Sequence, residues 1–368
     1  MENYEVIAMT DRIGFGLLGT GLVAPFHAKS LLNSEKGALI AAAEVSPERL
    51  GKFTGEFGCA GYASLEAMLE DPAIQVVNIL TPNHLHYDAV VQCAAAGKHM
   101  LVEKPPAMSL REVDAMTALC ARAGVKIGVV LQCRVRKPIQ AMKRALAAGR
   151  FGRILHADAY MKWFRAESYY HMDAWRSSRR SGAGVTIQHA FHYIDLLQYL
   201  MGPVTQVLAR MSNLAHPSVE LEDTLLAMVD FQNGAQGIVE ASTALWPGTD
   251  IRIEVNGTDG TAIMVGERMA TWTFTDERPE DDEIRTYGSA SVSTGATGPA
   301  DFAFFDHQTV IEDMVDAIRD DRDPVIPLTS VRPTLEWALA MYQSAKAGGT
   351  VALPVLDEEA IWETAAAT

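Results

Sequence analysis

The chain has 368 residues, 48% of them hydrophobic and 21% charged, with a net charge of −15. This length suits two domains, and the acidic balance disfavours a polyanionic partner such as nucleic acid. No apolar run approaches the ~20 residues that span a bilayer, and residues 1–10 lack the pattern of a signal peptide, so no membrane contact and a cytoplasmic location are expected. The four cysteines form no C-x-x-C pair, which predicts reduced thiols and no metal site.

A predicted strand over 12–18 runs into a glycine-rich turn and then into a predicted helix over 24–32. The turn has the form G-x-G-x-x-A, which opens many dinucleotide-binding units. The glycines allow a tight turn and close approach of a pyrophosphate, and the helix N-terminus offers free N–H groups to the phosphates. The residues predicted to contact the cofactor here are Gly19, Gly21, Leu22, Val23 and Ala24.

The next predicted strand, 38–43, ends at Glu44, twenty positions after Ala24. An acid at this spacing binds the adenosine ribose hydroxyls and repels a 2′-phosphate, which favours NAD. Arg49 lies close enough in sequence to contact such a phosphate, so NADP stays open as an alternative.

Three more apolar strands are predicted at 75–80, 99–102 and 126–132, with a helix from about 84 to 97 and a capped helix from Ser109 to Gly124 between them. This alternation predicts a parallel sheet covered by helices. Two strands end in polar motifs at the edge where ligands bind in such folds. The cofactor-binding residues predicted there are Thr81, Pro82, Asn83, His86, Glu103 and Lys104.

After residue 150 the pattern changes to β-like runs separated by turn residues, which predicts a mostly antiparallel sheet in an α+β second domain. The candidate strands are 223–231, 236–243 and 251–255, the candidate helices are 306–320 and 330–347, and residues 276–300 are expected to form a long loop. We predict a dinucleotide-binding domain over 1–133 and a substrate-binding and oligomerisation domain over 134–368. This prediction leaves room for the C-terminal helices to pack on the first domain.

A predicted helix that stops at Gly202-Pro203 carries a narrow polar stripe on an otherwise apolar surface. Gln188, His192, Asp195 and Tyr199 follow spacings of four, three and four, which place them on one helix face. A polar stripe on a buried helix either forms an internal hydrogen-bond network or lines a cleft. The spacing alone leaves both readings open.

The motifs G-x-G-x-x-A, T-P-N-x-x-H, E-K-P and a G-x-G followed by H-x-x-D occur in this order. The chain thereby resembles the glucose-fructose oxidoreductase/inositol dehydrogenase family (Gfo/Idh/MocA) from about residue 12 to 355. The resemblance implies a Rossmann domain joined to a domain with a large, mostly antiparallel open sheet. It also implies NAD(P)-dependent oxidation or reduction of a hydroxyl or keto carbon in a sugar, cyclitol or sugar derivative.

By this resemblance Lys104 matches the family's active-site lysine, His192 its acid/base histidine and Asp195 the last acid of the motif. Many of these dehydrogenases have Asp where this chain has Gln188, and an amide cannot take a proton. We therefore expect His192 to be the acid/base and Lys104 to polarise the reacting oxygen, with Gln188 and Asp195 positioning the substrate. Histidine, with an ordinary pKa near 6.5, suits that proton transfer near neutrality. Within the family, an amide at this position also favours sugars and nucleotide sugars as the expected substrates.

Aromatic and basic residues between the domains are expected to contact a sugar, because aromatic faces pack on sugar rings and arginines bind anionic groups. The predicted substrate-binding residues are Arg134, Tyr170, Trp175, Arg176, Gln188 and His192. The alternative is a surface loop with an aromatic anchor. The expected assembly is a homodimer or homotetramer.

Two other functions compete with the dehydrogenase. One is a non-catalytic NAD-binding regulator, and the other is elimination or glycoside cleavage through a transient keto sugar.

Overall fold

The computed structural model describes residues 12–288, 303–356 and 358, and within them the first sheet is parallel and six-stranded, in the order β3-β2-β1-β4-β5-β6. This is the strand order of a Rossmann fold. Its strands are β1 (Ile13–Leu18), β2 (Gly37–Ala43), β3 (Ala60–Tyr62), β4 (Val76–Ile79), β5 (His99–Glu103) and β6 (Ile127–Val130). The helices between them are α1 (Ala24–Asn33), α2 (Pro47–Phe57), α3 (Leu65–Leu69), α4 (His86–Ala95) and α5 (Leu110–Ala123).

The serine predicted to cap α5 does so, and a second serine caps α2. The Ser109 side chain accepts from the Glu112 N–H at the start of α5, and Ser46 does the same for Arg49 at the start of α2. Such caps satisfy N–H groups that have no partner inside the helix. The strands β1, β4 and β5 are buried on both faces, which explains why they appear in the sequence as short apolar runs.

The second sheet has eight strands in the order β13-β12-β11-β7-β10-β9-β8-β14. Among the described strands of this sheet, only β7 and β10 pair in parallel, so the sheet is mostly antiparallel, as predicted. Its strands are β7 (Ile154–Lys162), β8 (Val204–Ser212), β9 (Thr224–Phe231), β10 (Gln236–Ser242), β11 (Arg252–Gly257), β12 (Gly260–Val265), β13 (Arg268–Phe274) and β14 (Val351–Ala352).

The helices of the second half cover one face of this sheet and also reach the first sheet. They are α6 (Lys137–Ala147), α7 (Glu167–Tyr170), α8 (Val185–Gln188), α9 (Phe191–Met201), α10 (Asp281–Ile284), α11 (Phe305–Arg319) and α12 (Leu328–Ala347). Helix α11 packs on α1, and α12 contacts both α5 and β8. Their buried side chains therefore contribute to the apolar cores beneath both sheets.

Two sequence-based expectations are changed by the structure. The helix predicted to run to Gly202 is two helices, α8 and α9, because the chain breaks at His189-Ala190. The loop predicted over 276–300 contains the short helix α10, and its last part, 289–300, lies outside the described residues. The predicted helices over 306–320 and 330–347 correspond closely to α11 and α12.

In the described part of the chain, no helix combines the length and apolar character needed to cross a membrane. The four cysteines are free, and Cys93, Cys120 and Cys133 are buried. Burial raises the pKa of the Cys93 thiol to about 12, so it stays protonated at neutral pH.

Candidate active site

A cleft of about 450 Å³ runs along the carboxyl ends of the Rossmann strands and continues against the second sheet. Ligands of open α/β folds bind at this edge. Its lining includes most of the residues predicted to bind the cofactor, namely Gly19, Gly21, Leu22, Val23, Glu44, Thr81, Pro82, Asn83, Glu103 and Lys104. Among the predicted substrate-binding and catalytic residues, Trp175, Arg176, Gln188 and His192 also line it.

The glycine-rich turn leaves an open cradle at the start of α1. Gly19 has φ +97°, and a Cβ there would lie 3.0 Å from the Leu80 carbonyl oxygen, so both the backbone conformation and the space demand glycine. At Gly21 a Cβ would meet nothing within 4 Å, so the backbone there faces open space. Ala24 is buried under the turn and does not line the cleft. This geometry fits the pyrophosphate of a dinucleotide.

Glu44 is held rigidly at the end of β2. Its Oε2 accepts from the Thr20 N–H (3.2 Å) and hydroxyl (3.0 Å), and its Oε1 accepts from the Ser46 N–H (3.1 Å) and from Arg49 Nη2 (2.8 Å). Burial alone would raise the pKa of Glu44, but the Arg49 guanidinium and these N–H groups bring it below its usual value. The carboxylate is therefore ionised at the position where a ribose would bind, and Arg49 is engaged with it.

The T-P-N motif and the E-K-P motif are joined behind the cleft by a buried histidine. The ring nitrogens of His86 lie 2.9 Å from the Thr81 carbonyl oxygen and 2.8 Å from that of Pro105. His86 is fully buried and does not line the cleft. It therefore holds two cofactor loops together, which corrects the expectation that it contacts the cofactor itself. Asn83 does line the cleft and donates to the Gly182 carbonyl (3.2 Å).

Glu103 is the last residue of β5 and Lys104 follows it, and both line the cleft. Glu103 accepts from the His27 ring at 3.1 Å and from the Lys104 N–H at 3.1 Å, and the Asn78 amide contacts the other side of the His27 ring at 2.9 Å. Burial opposes ionisation of Glu103, yet the His27 hydrogen bond and nearby positive charge lower its pKa to about 2. Lys104 Nζ donates to the Gln188 carbonyl (2.7 Å), and burial lowers the pKa of this ammonium.

The side-chain amide of Gln188 bonds to the protein backbone and is not presented to a substrate. Its Nε2 donates to the carbonyls of Arg176 (2.7 Å) and Ala183. Ala183 has φ 56°, a left-handed conformation that alanine rarely adopts. An aspartate could not donate to these two carbonyls, so the amide fits this position for a structural reason. For the expected bond to a substrate hydroxyl only the Gln188 Oε1 atom remains, which is buried and has no hydrogen-bond partner among the described residues.

His192 lies in the first turn of α9 and lines the cleft with Lys104. Its Nδ1 is buried, and no residue in the described part of the chain forms a hydrogen bond with it. Burial, followed by the positive charge of Lys104, lowers the pKa of His192 well below its usual value. The imidazole is therefore neutral near pH 7, which is the state that accepts a proton from a hydroxyl.

Asp195 and Arg134 do not line the cleft. Arg134 donates from Nε and Nη2 to the two carboxylate oxygens of Asp195, at 2.7 and 2.6 Å, and Thr334 donates to the same carboxylate at 2.8 Å. Both charged side chains are buried. The pair anchors α9 to α12 and the segment after β6, which corrects the expectation that Arg134 and Asp195 face a substrate.

Tyr170 is also placed behind the wall of the cleft. Its hydroxyl hydrogen-bonds to Thr243 Oγ1 at 2.7 Å and the side chain is buried, whereas the neighbouring Tyr169 lines the cleft. This corrects the expectation of substrate contact at Tyr170.

Two histidines line the cleft but are not among the residues that the sequence predicts for the site. His189 sits at the break between α8 and α9, three positions before His192, and His307 comes from α11. A histidine next to an already selected segment could have been found by proximity in sequence. His307 lies 204 positions after Glu103, and only the folded chain brings them together with His27.

Known proteins share the folds of both halves of the chain. Residues 13–131 match the family model described as "Oxidoreductase family, NAD-binding Rossmann fold", and residues 139–263 match the GFO/IDH/MocA C-terminal domain.

Three relatives illustrate the similarity. The chain is 31% identical to a scyllo-inositol 2-dehydrogenase (NAD(+)) of Bacillus subtilis over 70% of this chain and 75% of the relative. It is 26% identical to a D-apiose dehydrogenase of Paraburkholderia graminis over 97% and 95%. It is also similar to the crystal structure of the WlbA dehydrogenase of Bordetella pertussis in complex with NADH and UDP-GlcNAcA. The TM-score is 0.85, with 30% identity over 94% of this chain and 98% of that one.

Proposed function

The chain belongs to the GFO/IDH/MocA family of NAD-binding oxidoreductases, and from this premise we propose how its own residues act on a sugar, a cyclitol or a sugar derivative. The reaction class is dehydrogenation or reduction at a hydroxyl-bearing or keto carbon. The observation that carries the proposal is that Lys104 and His192 line one cleft together with the glycine-rich turn and Glu44. A regulator that only binds NAD has no need of an ammonium and a neutral imidazole at that place.

The cofactor would bind in the part of the cleft that lies beside the Rossmann strands. The turn at Gly19 and Gly21 would hold the pyrophosphate, and Glu44 would bind the ribose of the adenosine. When bound, NAD supplies the hydride acceptor or donor. Thr81, Pro82, Asn83 and Glu103 form the walls that lead from this end to Lys104.

In the proposed reaction, His192 transfers the proton. Its neutral imidazole takes the proton of the substrate hydroxyl during oxidation and returns it during reduction. The Lys104 ammonium stabilises negative charge on the reacting oxygen, as preorganised cations do in water-poor sites. Gln188 acts as a positioning residue, because its carbonyl holds Lys104 Nζ and its amide holds the turn at Arg176. The Arg134–Asp195 pair supports the helix that carries His192.

The test of this function is NADH formation with a panel of sugars, sugar acids, inositols and UDP-sugars. We expect at least one to reduce NAD with saturable kinetics. Failure of the whole panel, with NAD binding demonstrated by calorimetry, would leave only the regulator. Release of a leaving group without net NADH would instead point to elimination through a keto sugar.

We also propose that the chain forms a homo-oligomer through the outer face of the second sheet. Leu208, Met228 and Ile238 lie opposite one another on β8, β9 and β10 and are 41%, 62% and 37% exposed. Leu226 on β9 is 49% exposed on the same face. Contiguous apolar patches of this kind mark protein–protein contacts.

The native mass, measured by light scattering as the protein elutes from a size-exclusion column, tests this assembly. We expect the native mass to be a multiple of the chain mass and Met228→Glu to reduce it, because a charge would be buried in the interface. Leu32→Glu, at an exposed leucine of α1, is the matched control and should keep the native mass. A monomeric wild type would refute the proposal.

A further inference from the structure

A histidine of α11 lines the cleft without a hydrogen-bond partner in the described part of the chain. His307 lies in the first turn of this helix and is 6% exposed. Its Nδ1 atom is buried, whereas its Nε2 atom, which also has no partner among the described residues, is not fully buried. Nε2 is therefore the nitrogen that reaches the cleft. A polar atom in such a place is stabilised when a ligand or a water molecule pairs with it.

The contacts on either side of His307 hold it in position. Ser30 Oγ on α1 donates to the Phe304 carbonyl at 3.0 Å. Arg136 Nε, just before α6, donates to the Asp306 carboxylate at 2.8 Å. These bonds tie the start of α11 to two other elements, so the histidine is placed before a ligand arrives, which lowers the entropy cost of binding.

The His307 ring packs on two rings of α1, the helix that begins at the glycine-rich turn. It stacks on Phe26 with 5.9 Å between the ring centroids and an interplanar angle of 20°. It meets the His27 ring edge-on at 5.2 Å. Such contacts orient a ring. His307 is therefore seated on the helix whose N-terminus would hold the pyrophosphate of the cofactor.

His307 is a neutral imidazole at physiological pH. Burial lowers its pKa to about 3, and nearby His27 and Arg136 act in the same direction, while the Glu103 carboxylate opposes them. A neutral imidazole offers one N–H donor and one acceptor nitrogen, so it pairs well with hydroxyl and amide groups and lacks the charge that strengthens a bond to phosphate. Hydroxyl and amide groups occur in the nicotinamide half of a dinucleotide, in its carboxamide and its ribose.

The position of His307 along the cleft agrees with that half. One of its ring nitrogens lies within 4.8 Å of a Glu103 carboxylate oxygen, and Glu103 directly precedes Lys104. Hydride transfer near Lys104 and His192 requires the nicotinamide to lie there. The part of the cofactor that passes Glu103 is then the nicotinamide or the ribose attached to it.

A metal ion is the competing occupant, because His27, Glu103 and His307 together make a possible ligand set of two histidines and one glutamate. The hydrogen bonds favour the cofactor. His27 Nε2 lies 3.1 Å from Glu103 Oε1, and its Nδ1 lies 2.9 Å from the Asn78 amide, so both ring nitrogens of His27 are already paired inside the protein. Of the two histidines, His307 is the one whose ring nitrogens have no partner among the described residues.

We propose that His307 is a cofactor-binding residue whose Nε2 hydrogen-bonds the nicotinamide half of NAD, at the carboxamide or at a hydroxyl of the adjoining ribose. This inference rests on the proposed function. It adds a contact from the second half of the chain to a cofactor that the Rossmann half otherwise binds. The second half then contributes to NAD affinity as well as to substrate binding.

Calorimetry with three nucleotides, and with no sugar present, tests this contact. NAD⁺ carries the carboxamide and the ribose, ADP-ribose keeps the ribose alone, and ADP lacks both. His307→Phe keeps an aromatic ring on Phe26 and removes both nitrogens. We expect it to weaken NAD⁺ binding about 3- to 10-fold, as for a neutral hydrogen bond, and to change ADP binding by less than about twofold. His307→Gln, which keeps a donor and an acceptor, should restore part of the affinity.

His99→Phe is the control for the loss of a histidine. His99 accepts from the Lys126 N–H at 2.9 Å and does not line the cleft, so this variant loses a hydrogen bond without touching the site. It should bind all three nucleotides as the wild type does.

The affinity for ADP-ribose identifies the group that His307 contacts. A loss equal to that for NAD⁺ assigns the ribose, and an unchanged affinity assigns the carboxamide. Unchanged NAD⁺ affinity in His307→Phe, or an equal loss for ADP, would overturn the contact and leave the dehydrogenase intact. A Zn²⁺ site that excludes NAD⁺ and disappears in His307→Phe would also overturn it, in favour of a metal. A wild type that binds no NAD⁺ would overturn the proposed function as well.

Discussion

Replacing Lys104 by methionine is expected to lower kcat by about 100-fold or more, because on the proposed mechanism the reacting oxygen would lose the ammonium group that the described lining of the cleft supplies. Methionine keeps the length of the side chain and removes the charge. Affinity for NAD, measured by calorimetry, should change by less than about fivefold, since the turn at Gly19 and the carboxylate of Glu44 are untouched. The fall should appear in kcat rather than KM alone.

A lysine with similar hydrogen bonds provides the control for Lys104→Met. Lys98 Nζ donates to the carbonyls of Asp71 (3.0 Å) and Ile74 (2.7 Å), and it does not line the cleft. Lys98→Met therefore loses comparable contacts without touching the site. If both variants kept near-normal turnover, the electrophilic role of Lys104 would be wrong.

Replacing His192 by asparagine is expected to lower kcat by about 100-fold or more and to abolish the acid limb of the pH–rate profile. In the wild type, kcat/KM for oxidation should fall only as the pH drops below about 6.5, because burial and Lys104 disfavour the imidazolium. Steady-state rates across the pH range measure this limb.

The charge of Lys104 also determines the direction in which the acid limb of the pH–rate profile moves in the Lys104→Met variant. Removing the positive charge in Lys104→Met makes the imidazolium of His192 less unfavourable, so the residual acid limb should move to higher pH. His156→Asn, at a half-exposed histidine on β7, is the control and should leave the limb in place. An acid limb in His192→Asn identical to the wild type would assign the proton transfer to another group.

Most of the Rossmann half could be predicted because its signals are local. The capping serine at Ser109, the glycine-rich turn and the short apolar strands each act within a few residues. The acid at Glu44 follows from spacing, since a strand and a helix of ordinary length separate it from the turn.

The break between α8 and α9 could not be predicted from periodicity. The spacing from Gln188 to His192 fits a continuous helix, but the backbone leaves the helical conformation at His189, with φ −121° and ψ −53°. Helical periodicity reports which side chains share a face and does not report where the backbone departs from the helix.

The misplaced candidates share one physical cause. The family resemblance gave Asp195 a substrate-positioning role, but its carboxylate bonds to Arg134, 61 positions away, and to Thr334, 139 positions away. A buried charge is normally paired, and the sequence does not reveal which distant residue supplies the partner. Tyr170 is explained in the same way by its bond to Thr243.

In the proposed mechanism one ammonium and one imidazole act on the same hydroxyl group of the substrate. A crystal structure of the protein with NADH and an unreactive substrate analogue tests this most directly. We predict the nicotinamide ring beside Lys104 and His192, with both side-chain nitrogens within hydrogen-bond reach of one oxygen of the analogue. A nicotinamide placed elsewhere in the cleft, or an analogue oxygen that reaches neither nitrogen, would contradict the account.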